Sequence, residues 1–306
     1  MLGLPSANKL SIVHCYHYFR VLNNAIASIT GKLRAAAMKA PNIPIQYAQF
    51  NIDSAEMVDA EIIVEMPVSL TVNGNVWLTF MCTPIDLEAM AIGFLFNEGL
   101  IKDLEDIATV HVCTSGDNVD LWLYKSLQKP DKWRRTSGCS GGITFVENQF
   151  SPLIPENGIT MSAMQVHQLV GELFESQVLY RASGGVHTSA LSDGECIRIM
   201  AEDIGRHNTL DKIAGKILLA GLELPRKIMI TTGRISSEML QKSARLGVSI
   251  VISRTSPSSL SIEMAERWGI TLIGYARRNR FNVYTHANRI VHSHKSIEYF
   301  KISDLA

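Results

Sequence analysis

From Cys196 onward the chain alternates short β-branched runs with helical stretches, and a glycine closes each helical stretch. Cys196 to Met200 reads as a strand, followed by a helix from His207 to Ala220 closed by Gly221. Ile228 to Thr232 precedes a helix from Ser236 to Leu246 closed by Gly247, and Val248 to Ser253 precedes one from Ser258 to Trp268 closed by Gly269. Ile270 to Tyr275 is the last strand of the series. Repeated strand–helix units of this kind predict a mainly parallel sheet with helices on both faces, an α/β domain spanning residues 151–306.

In such sheets ligands bind beyond the carboxyl ends of the strands, where loops meet helix amino termini. The first crossing offers Glu202, Asp203, Gly205, Arg206 and His207; the second offers Thr231, Thr232, Gly233 and Arg234. Ser253, Arg254, Thr255 and Ser256 follow the third strand, and Arg277, Arg278, Asn279 and Arg280 follow the fourth. Every crossing thus supplies an arginine beside small hydroxyl or glycine residues. Guanidinium forks suit phosphate oxygens, and exposed amides add to that, so the rim predicts an anionic ligand. The bland alternative is that these arginines are solvated or paired with acids such as Asp203 and Glu238. No Gly-x-Gly-x-x-Gly fingerprint and no Gly-x-x-x-x-Gly-Lys-Ser/Thr loop is present, which argues against a standard dinucleotide or P-loop site. A zinc deaminase needs His-x-Glu and Pro-Cys-x-x-Cys; His187-Thr188-Ser189 lacks the glutamate and no paired cysteines exist, so a deaminase-like nucleotide hydrolase is disfavoured and no metal is expected.

Upstream, residues 51–150 read as a smaller α+β unit. Strands are predicted at Glu61 to Glu65, Val68 to Val72 and Val76 to Phe80, with Asn73-Gly74-Asn75 as the hairpin turn, and shorter strands around Val110 and Leu121. Thr83-Pro84 is expected to open a helix with threonine as its cap, and Gly99 to end it. A helix from Ser162 to Phe174 starts with a Ser162–Gln165 capping box. Residues 1–50 read as a loosely attached extension. Zero net charge argues against binding nucleic acid or a membrane surface through a global field, and no apolar run approaches the ~18 residues of a membrane span. The five cysteines form neither a zinc set nor a disulfide framework, which favours a reducing cytoplasm.

One of those cysteines stands apart. Arg134-Arg135-Thr136-Ser137-Gly138-Cys139-Ser140-Gly141-Gly142 sets a thiol among small residues behind two guanidinium groups. Such a run reads as an exposed loop, and nearby positive charge favours the reactive thiolate. The alternative is a surface linker that happens to hold a cysteine.

Read together, Glu65-Met66-Pro67-Val68, Thr83-Pro84-Ile85-Asp86-Leu87-Glu88 through Glu98-Gly99, Arg135 to Gly142, Glu202 to Lys212, Ser236 to Ala244 and Val283-Tyr284-Thr285-His286 resemble the FdhD family, the formate dehydrogenase accessory sulfurtransferases. The resemblance covers about Glu61 to Ile290 and implies a cytoplasmic homodimer whose three-layer αβα C-terminal domain is cytidine-deaminase-like without the zinc. It implies a sulfur carrier that takes a sulfane sulfur from a cysteine desulfurase as a persulfide on Cys139. The sulfur then passes to the molybdenum (or tungsten) bis-guanine-dinucleotide cofactor that formate dehydrogenase requires. The cofactor-contacting segment falls on Tyr275, Ala276, Arg277, Arg278, Asn279 and Arg280, joined at the rim by Arg206, His207, Gly233 and Arg234, and guanine nucleotides are expected to occupy the same place. The family's loop usually carries two cysteines, Cys-Gly-x-Cys-Gly; here Ser140 follows Cys139 and Gly142 takes the second position. One thiol suffices to carry a persulfide, but a resolving thiol is lost. The alternative implied by Gly142 is a non-catalytic cofactor-binding chaperone for formate dehydrogenase.

Overall fold

The computed structural model describes residues 39–129, 133–135, 143–145, 159–277 and 279–291; Cys139, Arg278 and the first 38 residues lie outside these. Asn42–Phe50 (β1) and Ala55–Ile63 (β2) form an antiparallel ribbon, Asn42 opposite Ile63 and Phe50 opposite Ala55. The boundary expected at residue 50 therefore falls at the tip of this ribbon.

Met66–Val72 (β3), Asn75–Cys82 (β4), Ile107–Val112 (β5) and Asn118–Leu123 (β6) make a four-stranded sheet in the order β4-β3-β6-β5. The β3–β4 turn is the predicted one, with Asn73 and Gly74 both left-handed at φ 48° and 77°. Leu87–Asn97 (α1) packs on this sheet and is buried almost all round, as a core helix must be. Its start departs from the expectation. The residue at the cap is Asp86, left-handed and without a side-chain cap bond, and its carboxylate pairs with Lys216 at 2.6 Å. Thr83 is fully buried, and its hydroxyl accepts from the Ile204 amide at 3.2 Å.

A short antiparallel pair, Trp133–Arg135 (β7) with Ile143–Phe145 (β8), brackets the cysteine segment in sequence. Met161–Ser162 (β9) leads into Ala163–Ser176 (α2), whose Ser162–Gln165 capping box forms as predicted, and then into the short Leu179–Ser183 (α3). The large sheet follows, built from His187–Ser192 (β10), Ile197–Asp203 (β11), Ile228–Thr231 (β12), Ile250–Ser253 (β13), Thr271–Arg277 (β14) and Arg280–Val283 (β15). Its helices are Arg206–Ala220 (α4), Ser237–Arg245 (α5) and Ser259–Trp268 (α6), and Ile290–Val291 (β16) pairs with β9. The left-handed glycines Gly221, Gly247 and Gly269 stand just past the three helices, as read from the sequence.

The sheet order is β11-β10-β12-β13-β14-β15, and the sheet is mixed rather than mainly parallel. Pairing is parallel between β12, β13 and β14, but β10 runs antiparallel to both neighbours and β15 to β14. The cause is the tight turn at Asp193–Gly194. Asp193 accepts from the amides of Glu195 and Cys196, so β11 is entered by a hairpin from β10, a strand absent from the sequence reading. β11 still points the same way as β12 to β14. All four carboxyl ends reach one edge.

Alternate strand residues feed two cores, as the strand period requires. Met229, Val251 and Leu272 face α4, α5 and α6, whereas Ile228, Ile250, Ile252 and Ile273 face α2. The result is three αβα layers. The smaller unit joins through α1 crossing α4, where Gly93 lies against the Asp211 carbonyl and Gly215 against the Ala89 carbonyl with no room for a Cβ.

Candidate functional site

The common edge is where the ends of β11 to β14 meet the start of β10. Cross-strand register sets His187 beside Asp203 and Ser189 beside Thr231. Hydroxyls then fix the loop after β12. The Gly233 amide donates to Thr231 Oγ1 at 3.1 Å, the Thr188 amide to Thr232 Oγ1 at 3.0 Å, and the Ser253 hydroxyl to the Gly233 carbonyl at 2.7 Å. A Cβ on Gly233 would come within 3.0 Å of Arg206 Cβ, so the missing side chain is what lets Arg206 lie against this loop.

Arg206 and His207 occupy the first turn of α4, and its N-cap, Gly205, makes no side-chain cap. The positive end of that helix therefore faces the edge. His207 Nε2 is 3.7 Å from Glu238 Oε2 at the start of α5. Contact with His207 and a 2.8 Å hydrogen bond from the Ser236 hydroxyl hold the Glu238 carboxyl down to about 2. Burial pushes His207 below its ordinary value despite Glu238. His187 is also pushed down, by burial first and then by Arg206 and His207, with Arg234 adding and Asp203 opposing. These cationic and titratable side chains share one field.

A second group lies over β13 and β14. The Arg254 guanidinium stacks 3.8 Å above the Phe174 ring, and its pKa is lowered by burial, with Tyr180 opposing and Arg277 adding. Tyr275 is left-handed at φ 50° and 40% exposed, a strained setting for an aromatic residue, and its amide donates to the Thr255 carbonyl at 3.0 Å. Arg277 and Arg280 are register partners across β14 and β15, and both are exposed, as is Asn279. Ala276 is buried in the core, so only its backbone can face a ligand. Among the described residues, Arg234, Arg254, Arg277 and Arg280 form no ion pair with an acid.

The acids of the same signature segment do other work, which the sequence reading missed. Glu202 accepts from the amides of Val178, Leu179 and Tyr180 at 2.9–3.1 Å and so caps α3. Asp203 is fully buried and pairs with Lys212 at 2.6 Å while accepting from the Thr83 and Gly205 amides and the Asn208 side chain. Asp211 pairs with Lys242 at 2.7 Å and accepts from Asn97. Cys82 is buried beside this network; burial and Asp203 push its thiol up to about 12, which removes it as a nucleophile. Cys196 is buried too. Among the described residues no three His, Cys, Asp or Glu side chains are grouped to hold a metal, and no helix is long and apolar enough to cross a membrane.

A mixed sheet between two helical layers, with arginines gathered along one edge, defines a three-layer α/β protein. Residues 63–291 match the FdhD/NarQ family model, and the chain belongs to that family. It is 37% identical over 257 residues to the sulfur carrier protein FdhD of Bacillus licheniformis, covering 81% of this chain and 98% of that one. Against the sulfur carrier protein FdhD of Bacillus subtilis the identity is 38% over 239 residues, covering 76% and 91%. A crystal structure described as a candidate formate dehydrogenase accessory protein from Desulfotalea psychrophila superposes with a TM-score of 0.70 at 30% identity, covering 82% of this chain and all of the other.

Proposed function

We infer that this protein is a cytoplasmic sulfur carrier that serves formate dehydrogenase. In this reading the Cys139 thiolate attacks the outer sulfur of a desulfurase persulfide. The donor's sulfur–sulfur bond breaks, the donor cysteine leaves as thiolate, and Cys139 keeps the sulfur as its own persulfide. The acceptor is the molybdenum (or tungsten) bis-guanine-dinucleotide cofactor, which is the carrier's cargo rather than a resident group.

The observation that carries the reading is the cationic edge. A cargo with two pyrophosphates needs several guanidinium groups that are not already neutralised, and Arg234, Arg254, Arg277 and Arg280, which have no acid partner among the described residues, meet that need. The amino end of α4 adds the positive end of its dipole, and Tyr275 offers an aromatic face of the kind on which a guanine base stacks. The deaminase-like hydrolase receives no comparable support, since neither His187 nor His207 has a second and third metal ligand beside it among the described residues.

Incubation with a cysteine desulfurase and sulfur-labelled cysteine is expected to load one sulfur per chain, and Cys139→Ala to abolish it. Label that survives in Cys139→Ala overturns the carrier. Formate dehydrogenase activity that survives Cys139→Ala but is lost in Arg277→Ala would make the protein a cofactor-binding chaperone instead.

A further inference from the structure

Two side chains of α2 touch the cationic edge without neutralising it. The helix itself is firmly placed. Its Ser162–Gln165 capping box sets where it starts, and Val166, Leu169, Val170 and Leu173 are buried in the core between it and β12 to β14. His167 and Phe174 stand seven residues apart, close to two turns, and so share a face beside that buried stripe. His167 Nδ1 lies 3.1 Å from the Arg277 carbonyl, and the imidazole centre lies 5.3 Å from that of the Phe281 ring on β15. A carbonyl only accepts, so this hydrogen bond needs the proton on Nδ1. Seven residues on, the Phe174 ring carries the Arg254 guanidinium at 3.8 Å.

Both contacts hold a position and leave a charge unspent. An acid would fix an arginine equally well, but it would occupy the guanidinium and cancel its charge. A ring face leaves the in-plane N–H groups free for an oxyanion. A bond to the Arg277 main chain fixes the end of β14 and leaves the exposed side chain unoccupied. Among the described residues neither arginine pairs with an acid. The two guanidinium groups also feel each other, since Arg277 adds to burial in lowering the Arg254 pKa. Like charges held near one another are unfavourable until an anion joins them. Ordering them before that anion arrives lowers the entropy cost of binding it.

We propose that His167 and Phe174 are positioning residues, through which α2 presets Arg277 and Arg254 as one clamp for a pyrophosphate. The clamp rests on the anionic cargo proposed for this edge, and it names the part of the edge that grips and the helix that keeps the grip in shape. Each of the two residues acts through its arginine rather than on the ligand.

Calorimetry with guanosine diphosphate on the purified full chain tests it. His167→Ala and Phe174→Leu are each expected to weaken binding roughly 3- to 10-fold, the range of a lost cation–π contact. His167→Asn can place an amide donor where Nδ1 stood, and Phe174→Tyr keeps the ring, so both should bind within about twofold of the wild type. In an Arg277→Ala background, His167→Ala should weaken binding by no more than about a further twofold, because the group it positions is gone. A His167→Ala or Phe174→Leu chain that binds as tightly as the wild type overturns the proposal. So does His167→Asn binding no better than His167→Ala, or a full second loss in the Arg277→Ala background. A wild type that binds no guanosine diphosphate overturns the cationic edge and the clamp with it. Binding that falls with Arg277→Ala but ignores both α2 changes overturns the clamp alone.

Discussion

Two regions fed by one segment, Glu202 to Lys212, handle charge in opposite ways. At the joint between the two units, Asp203, Lys212, Asp211 and Lys242 are buried, and each charge has its counterpart within 2.6–2.7 Å. At the edge of the large sheet, Arg234, Arg254, Arg277 and Arg280 have no acid partners among the described residues, and two histidines are held below their ordinary pKa. The joint is complete without a ligand; the edge is not. A family signature can therefore mark structure and site at once, and only the direction of each side chain separates them.

The largest effect should come from breaking the joint. Asp203→Ala leaves the Lys212 ammonium, which is 0% exposed, without its partner and orphans donors from Thr83, Gly205 and Asn208. Removing one member of a buried pair costs about 3–5 kcal/mol, and chemical denaturation is expected to register that loss. Adding Lys212→Met should recover part of it, because the uncompensated charge goes. A nearly neutral Asp203→Ala would dissolve the contrast between joint and edge.

The edge should respond in the other way. Arg234→Ala and Arg277→Ala are expected to change stability by no more than about 0.5 kcal/mol, as surface substitutions do. Their effect should fall on ligand affinity. A charge-assisted hydrogen bond contributes about 1.5–3 kcal/mol, so calorimetry with guanosine diphosphate should register a roughly 10- to 100-fold weaker dissociation constant for each. Unchanged affinity would leave the edge without a ligand, and lost stability would make it a second joint.

How much of this was legible follows from how local the signals are. Three helix ends could be read because Gly221, Gly247 and Gly269 adopt left-handed backbone just past them, and the Ser162 cap because its partner is three residues away. The arginine edge could be read because each arginine follows a strand directly. β10 could not, since a six-residue strand entering a tight turn carries no helical period to announce a crossover or its absence. The joint was hidden for a different reason. Thr83 and Lys212 meet across 129 positions, and a helix carrying Asp211 and Lys212 looks like a solvated one until α1 covers it. Thr83 was read as a cap because its neighbours, Pro84 and Asp86, carry the local grammar of a helix start; the tertiary contact won. Cys139 and Arg278 lie outside the described residues.

The smallest and most discriminating effect is on pH. His187 is faced by Arg206, His207, Arg234 and Asp203, and His207 by Glu238, Lys242 and Arg206. For both, the folded pKa lies below the unfolded value of about 6.5, so the neutral imidazole is the folded form at neutral pH. Their contribution to stability is then full above the unfolded pKa and declines as pH falls towards the folded one, because the unfolded chain takes up protons first. Binding of an anion has the opposite sign. A pyrophosphate favours the imidazolium form, so affinity for guanosine diphosphate should rise several-fold from about pH 8 to about pH 6, with net proton uptake. Calorimetry in buffers of different ionisation enthalpy measures that uptake directly, and His187→Asn should reduce it. The joint predicts nothing of this kind, since its charges are matched. A flat pH profile with no proton uptake would mean that the histidines face protein rather than ligand, and that the open edge begins only at Arg234.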